Sequence, residues 1–273
     1  MEAPRTTQIA DAVQERLPEP VRAIVRRLRA EDIFLLSAGL AFYALVSVVP
    51  FCTLVLWVLS LVTEEAQVQR VADALARQFP AKLGVDEAFR RVADLGAGLG
   101  VGAMLALLWP ATAYGSGLHR AFARLARRAE EGKGIRGRAL ALGLLGVVPA
   151  LALAGLVAAY LGTAVVDGGG VRRVLGWGLG LVFGFVVTAV AVGVILRLFA
   201  PRTLSWPSIA RGSATAGGAI AALSVGYAIF LNSGVDFENR YATSGLAALV
   251  LLAFWLFLAN AFILVGFQVA QET

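Results

Sequence analysis

Chemistry has few places to reside in this chain. Its 273 residues include one histidine, His119, and one cysteine, Cys52. Clustered metal ligands and thiol pairs are therefore largely ruled out before any motif is read. What remains is a set of arginines and a set of neutral polar groups. Arg120, Arg124, Arg127 and Arg128 fall at i, i+4, i+7 and i+8, which is a single helical stripe, with Leu118, Phe122 and Leu125 on the opposite face. Guanidinium forks bind phosphate bidentately, so Arg120, Arg124 and Arg127 are candidates for contact with anionic headgroups. The bland alternative is a solvated face that sets topology.

Neutral polar residues stand within otherwise apolar stretches: Ser37, Tyr43, Ser47, Thr112, Tyr114, Ser116, Thr188, Tyr227, Asn260 and Gln268. Most such groups hydrogen-bond between helices, and the remainder can line a polar path. Tyr43, Ser47, Thr112, Tyr114, Ser116, Asn260 and Gln268 are the path candidates, with Pro50 as a bend beside them. Asn260 and Gln268, eight residues apart, share one helix face. Glycines at 96, 98, 100 and 102 lack the strand and the lysine-serine pair of a phosphate loop, so helix packing is the better reading. Gly176, Gly180 and Gly184 form a second small-residue seam.

The elements that must position these groups are six apolar runs, at about 33–62, 95–116, 139–166, 174–200, 208–231 and 243–270. Each reaches the roughly 20 residues that a helix needs to cross a bilayer. Mean hydropathy is +0.77 and charged residues make up 15%, against about 25% in soluble domains. No Asp or Glu lies inside a run, which argues against a carboxylate proton relay. The expected fold is all-α: a polytopic bundle of six transmembrane helices over residues 33–273, preceded by a basic N-terminal segment, 1–32. Within that segment Val21, Ile24, Val25 and Leu28 alternate with Arg22, Arg26, Arg27 and Arg29, as in a helix lying on an anionic leaflet. Residues 64–94 carry two further amphipathic patterns, expected as short helices outside the membrane.

Sixteen of the 24 Lys and Arg fall in the segments 1–32, 117–138 and 197–211. The positive-inside rule then places both termini in the cytoplasm. The first 30 residues are polar and proline-bearing, unlike a cleavable signal peptide. Pro50 is expected to kink the first span, with Ser47 satisfying a carbonyl that the proline frees. Beyond Trp109 and Pro110 the second helix is expected to run on towards the cytoplasm.

Three segments together resemble the YihY/BrkB family of bacterial inner-membrane proteins. They are Leu40–Pro50 (LAFYALVSVVP), Trp109–Phe122 (WPATAYGSGLHRAF), and a last stretch running from Tyr241–Leu246 (YATSGL) through Trp255 to Gly266-Phe267-Gln268. Leu198–Arg202 and Trp206 match the family's cytoplasmic turn. The chain departs from the pattern at Phe42 and Phe257, where the family has tyrosine, and at Gln268, where it has glutamate. The resemblance implies a six-helix inner-membrane fold. Members have been labelled a transfer-RNA-processing ribonuclease, a serum-resistance factor, and candidates for moving lipids.

Residue chemistry separates these. With one histidine and no positioned acid-base pair, ribonuclease action, and enzymatic action generally, is disfavoured. No nucleic-acid partner and no cofactor is expected. Handling of an anionic lipid or envelope component without ATP fits the arginines and neutral polar groups best, with membrane lipids as the partners. A small-solute channel or exporter and a non-transporting scaffold are the alternatives. Oligomeric state is left open.

Overall fold

The computed structural model describes residues 32–60, 100–126, 138–143, 171–200, 204–232 and 244–272. The N-terminal amphipathic segment, the two external helices of 64–94 and most of the third run lie outside the described residues. Every regular element among those described is a helix. They are α1 (Ile33–Ser60), α2 (Val101–Ala111), α3 (Ala113–Leu125), α4 (Val171–Phe199), α5 (Trp206–Asn232) and α6 (Ser244–Gln271). A further stretch, 138–143, is helical at the start of the third run. Among the described residues, four helices, α1, α4, α5 and α6, are long and apolar enough to cross a membrane.

Local chemistry explains the helix ends. Asp32 precedes α1 at φ 49°, a left-handed conformation that Asp tolerates better than most residues, and its carbonyl accepts from the Leu36 amide at 3.0 Å. At the start of α5 the Ser205 hydroxyl accepts from the Ser208 amide at 3.3 Å, and Pro207 costs nothing there because first-turn amides have no partner within the helix.

The second run does not continue as one helix. It breaks at Thr112, whose φ of −95° and ψ of 2° lie outside the helical range. Pro110 removes an amide and disfavours helical geometry in its predecessor. The Thr112 hydroxyl then donates to the Leu108 carbonyl at 2.7 Å and lies 3.3 Å from that of Trp109. Thus α3 is a separate helix. Ten of its residues, from Ala113 to Leu125, are buried in the bundle.

The bundle is built on α6, which lies against α5 and α1, while α5 also lies against α4 and α1 against α2 and α3. Phe122 of α3 and Phe267 of α6 stack at the centre, ring centroids 4.2 Å apart, among Ile33, Leu40, Leu118, Leu196, Phe199 and Leu264. Outside the core, Leu35, Phe42, Val182, Ile229 and Phe254 are more than half exposed. That pattern suits a solvent of lipid tails, in which apolar surface carries no penalty.

Among the described residues, a small-residue seam joins α5 and α6. A side chain added at Gly100, Gly102, Gly180 or Gly184 meets nothing within 4 Å, so these glycines do not join helices within the described bundle. The close approach is between α5 and α6, where Gly212 and Ala216 face Gly266 and Ala270. A Cβ on Gly266 would lie 2.6 Å from the Gly212 carbonyl oxygen and 2.7 Å from the Ala216 methyl. Both helices carry the small-xxx-small spacing, and composition alone does not say which such stripe turns inward. Gly266→Val is expected to destabilise the detergent-solubilised protein by about 1–3 kcal/mol through overpacking, whereas Gly180→Ala is neutral or slightly stabilising. Thermal unfolding of the two variants checks the contrast.

Candidate functional site

The predicted polar residues converge on the α2–α3 break. Ser47, from the middle of α1, donates its hydroxyl proton to the Pro110 carbonyl at 2.9 Å and accepts from the Tyr114 amide at 3.0 Å. It therefore serves the neighbouring helices, not a carbonyl freed by Pro50 within α1. The helix continues through Pro50, and there Thr53 donates to the Val49 carbonyl at 2.9 Å. Tyr114 carries the network onward: its hydroxyl lies 2.8 Å from Asn260 Oδ1. Asn260 is 1% exposed and anchors its own amide on the Leu256 carbonyl at 2.8 Å. Thus α1, the break and α6 are linked through Ser47, Tyr114 and Asn260.

The other candidates have distinct surroundings. Ser116, buried, donates to the Ala113 carbonyl at 2.8 Å. Tyr43 lies over Gly117, where a Cβ would come 2.6 Å from the tyrosine ring. Gln268 is half-buried on α6 and is itself engaged. His119 is 9% exposed, and its Nδ1 lies 3.3 Å from the Phe199 carbonyl. A carbonyl only accepts, so this contact assigns the proton to Nδ1. The histidine ties α3 to the end of α4.

Arg120 and Arg124 project from the exposed side of α3. Arg124 pairs with Asp32 at 3.8 Å, both side chains more than 60% exposed, so solvent screening leaves the pair little energetic weight. Arg127 lies outside the described residues. Between α4 and α5, Arg197 stacks on Trp206 with 5.5 Å to the ring centroid.

Sequence reasoning missed one member of this site. Arg138 enters the charge count as part of a cytoplasmic connection, yet its Nη1 donates to the Trp109 carbonyl at 2.6 Å and lies 3.4 Å from the Thr112 hydroxyl. Its guanidinium also covers the Trp109 ring, 3.6 Å from the centroid. The partners are 26 and 29 residues away in sequence, beyond any periodicity, so an arginine just before an apolar run reads only as a topology signal. Among the described residues, no three His, Cys, Asp or Glu stand together as a metal site would require.

The sequence profile described as virulence factor BrkB matches residues 24–273 of the chain. No curated protein and no solved structure matches it.

Removing the links of the network has graded consequences. Tyr114→Phe is expected to cost about 1 kcal/mol, the ordinary worth of a hydrogen bond between membrane helices. Ser47→Ala is expected to cost about 2 kcal/mol, because it removes the Ser47 bond from both the Pro110 carbonyl and the Tyr114 amide. Equilibrium unfolding in mixed micelles measures both, and a cycle combining Tyr114→Phe with Asn260→Leu should show coupling.

Proposed function

The chain belongs to the virulence factor BrkB family, and we propose that it moves an anionic lipid or envelope component across the bacterial inner membrane without ATP. In this reading both termini are cytoplasmic, and the six runs are the spans. The observation that carries it is the position of α3. An amphipathic helix whose exposed residues are Arg120 and Arg124 is built into the bundle, with Leu118, Phe122 and Leu125 fully or almost fully buried. Its charges therefore sit against apolar spans instead of in a free loop. Guanidinium groups so held are suited to gather anionic headgroups at the cytoplasmic leaflet.

The break beside them supplies the second requirement, an irregular backbone within the membrane domain. Such backbone persists in lipid where neighbouring groups satisfy it, as Ser47 and Thr112 do here. Broken helices commonly mark the sites of transport proteins. We assign the chain no enzymatic role, since its one histidine is turned into the bundle to hold the end of α4.

One observation favours the scaffold alternative. Ser47, Thr112, Tyr114, Ser116 and Asn260 all spend hydrogen bonds inside the bundle, as a closed, non-transporting domain would require. Vesicles reconstituted with the protein and fluorescent phosphatidylglycerol separate the two readings. Translocation is expected to exceed that of empty vesicles and to fall several-fold with Arg120→Ala. Rates equal to empty vesicles, with no effect of Arg120→Ala, would favour the scaffold.

A further inference from the structure

We propose that Arg138, clamped at the α2–α3 break, binds the phosphate group of a membrane lipid through the guanidinium edge that Trp109 and Thr112 leave unused. The inference deepens the translocation reading, and rests on it for the choice of a lipid as the source of the phosphate. It names a residue outside α3, held at the break by contacts to Trp109 and Thr112.

Geometry defines the free edge. Arginine carries five N–H donors in a planar fork. Both contacts at the break, to the Trp109 carbonyl and the Thr112 hydroxyl, are made by Nη1, and the ring face is covered by Trp109. Nε and Nη2 remain, and their parallel N–H groups match two oxygens of a phosphate. Among the described residues these donors have no acceptor and the guanidinium meets no carboxylate. Among the described residues, the fork is thus pre-oriented by one nitrogen and unspent at the other two.

Depth gives weight to a charge that no described carboxylate meets. The break is joined through Ser47 and Tyr114 to Asn260, and Ser47 and Asn260 stand well inside the apolar windows of α1 and α6. An arginine held against such a level is costly unless it is hydrated or meets an anion. A purely structural helix cap would not need the charge, because a neutral amide can donate to the Trp109 carbonyl equally well.

The surroundings select an amphiphile. Trp109 is 70% exposed and Leu105, one turn earlier on the same face of α2, is 62% exposed. Leu142, one turn after Arg138, is also exposed. These side chains offer an apolar track for an acyl chain that starts at the guanidinium. A free phosphate ion would gain nothing from them.

Native mass spectrometry of the full chain in detergent tests the assignment. The probes are dioctanoyl phosphatidylglycerol, phosphate-free dioctanoylglycerol and inorganic phosphate. Wild-type protein is expected to bind the phospholipid about tenfold more tightly than Arg138→Gln, the loss of one charge-assisted interaction. Dioctanoylglycerol should not distinguish the two proteins, and inorganic phosphate should not displace the lipid. Wild-type affinity in Arg138→Gln would overturn the proposal and leave Arg138 a helix cap. Displacement by inorganic phosphate at matched concentration would overturn the lipid assignment. Should Arg138→Gln aggregate, Arg138→Lys carries the test: it keeps the charge but not the fork, so weaker binding is expected and unchanged binding refutes the role. Arg138-dependent binding without vesicle translocation leaves this site standing and removes the transport reading. Translocation without such binding does the reverse.

Discussion

One serine hydroxyl holds together the part of this protein from which its chemistry follows. A break between two helices of a membrane protein exposes a carbonyl on one side and an amide on the other, and lipid offers partners to neither. Ser47 gives its proton to the Pro110 carbonyl and takes one from the Tyr114 amide. A hydroxyl is the smallest side-chain group that can donate and accept at once. Alanine would take the side-chain partner from both backbone groups. With the break stabilised, α3 leaves the line of α2, Tyr114 turns to Asn260, and the arginines of α3 stand on a helix buried among spans.

The forces elsewhere in the bundle are those of a protein dissolved in lipid. Apolar burial gives little drive for helix association when the alternative is contact with acyl chains. Close backbone approach and directed polar contacts must do more. The Gly212–Gly266 crossing supplies the first, with each glycine admitting the carbonyl of the other helix. The Phe122–Phe267 stack adds a specific aromatic contact, worth about 0.5–1.5 kcal/mol beyond its area. Arg138 on Trp109 and Arg197 on Trp206 repeat one device at two corners of the molecule, an arginine covering the face of an exposed indole.

Much of this was legible in the residues. Run length and composition identified the apolar helices, and the bounds of α1, α4, α5 and α6 fall within a few residues of the runs. The second helix was expected to run on past Pro110, whereas its end depends on Thr112 and on a serine 63 residues away. Periodicity correctly grouped Leu118, Phe122 and Leu125 on one face of α3. It carried no information on whether that face meets water, lipid or protein. Glycine spacing likewise named the motif but not its place, because Gly180 and Gly212 look alike until a partner helix is specified. Arg138 was the least visible, since its role arises from a long-range contact made by a residue whose local setting suggests topology alone.

Hydrogen exchange at the Tyr114 amide, measured in lipid nanodiscs for wild-type protein and Ser47→Ala, tests the central claim most directly. If the Ser47 hydroxyl closes the break, the amide exchanges slowly in the wild type and substantially faster in the variant, while amides in the middle of α6 keep their rates. Equal exchange at Tyr114 in the two proteins would contradict the account, because the amide would then owe its protection to something other than Ser47.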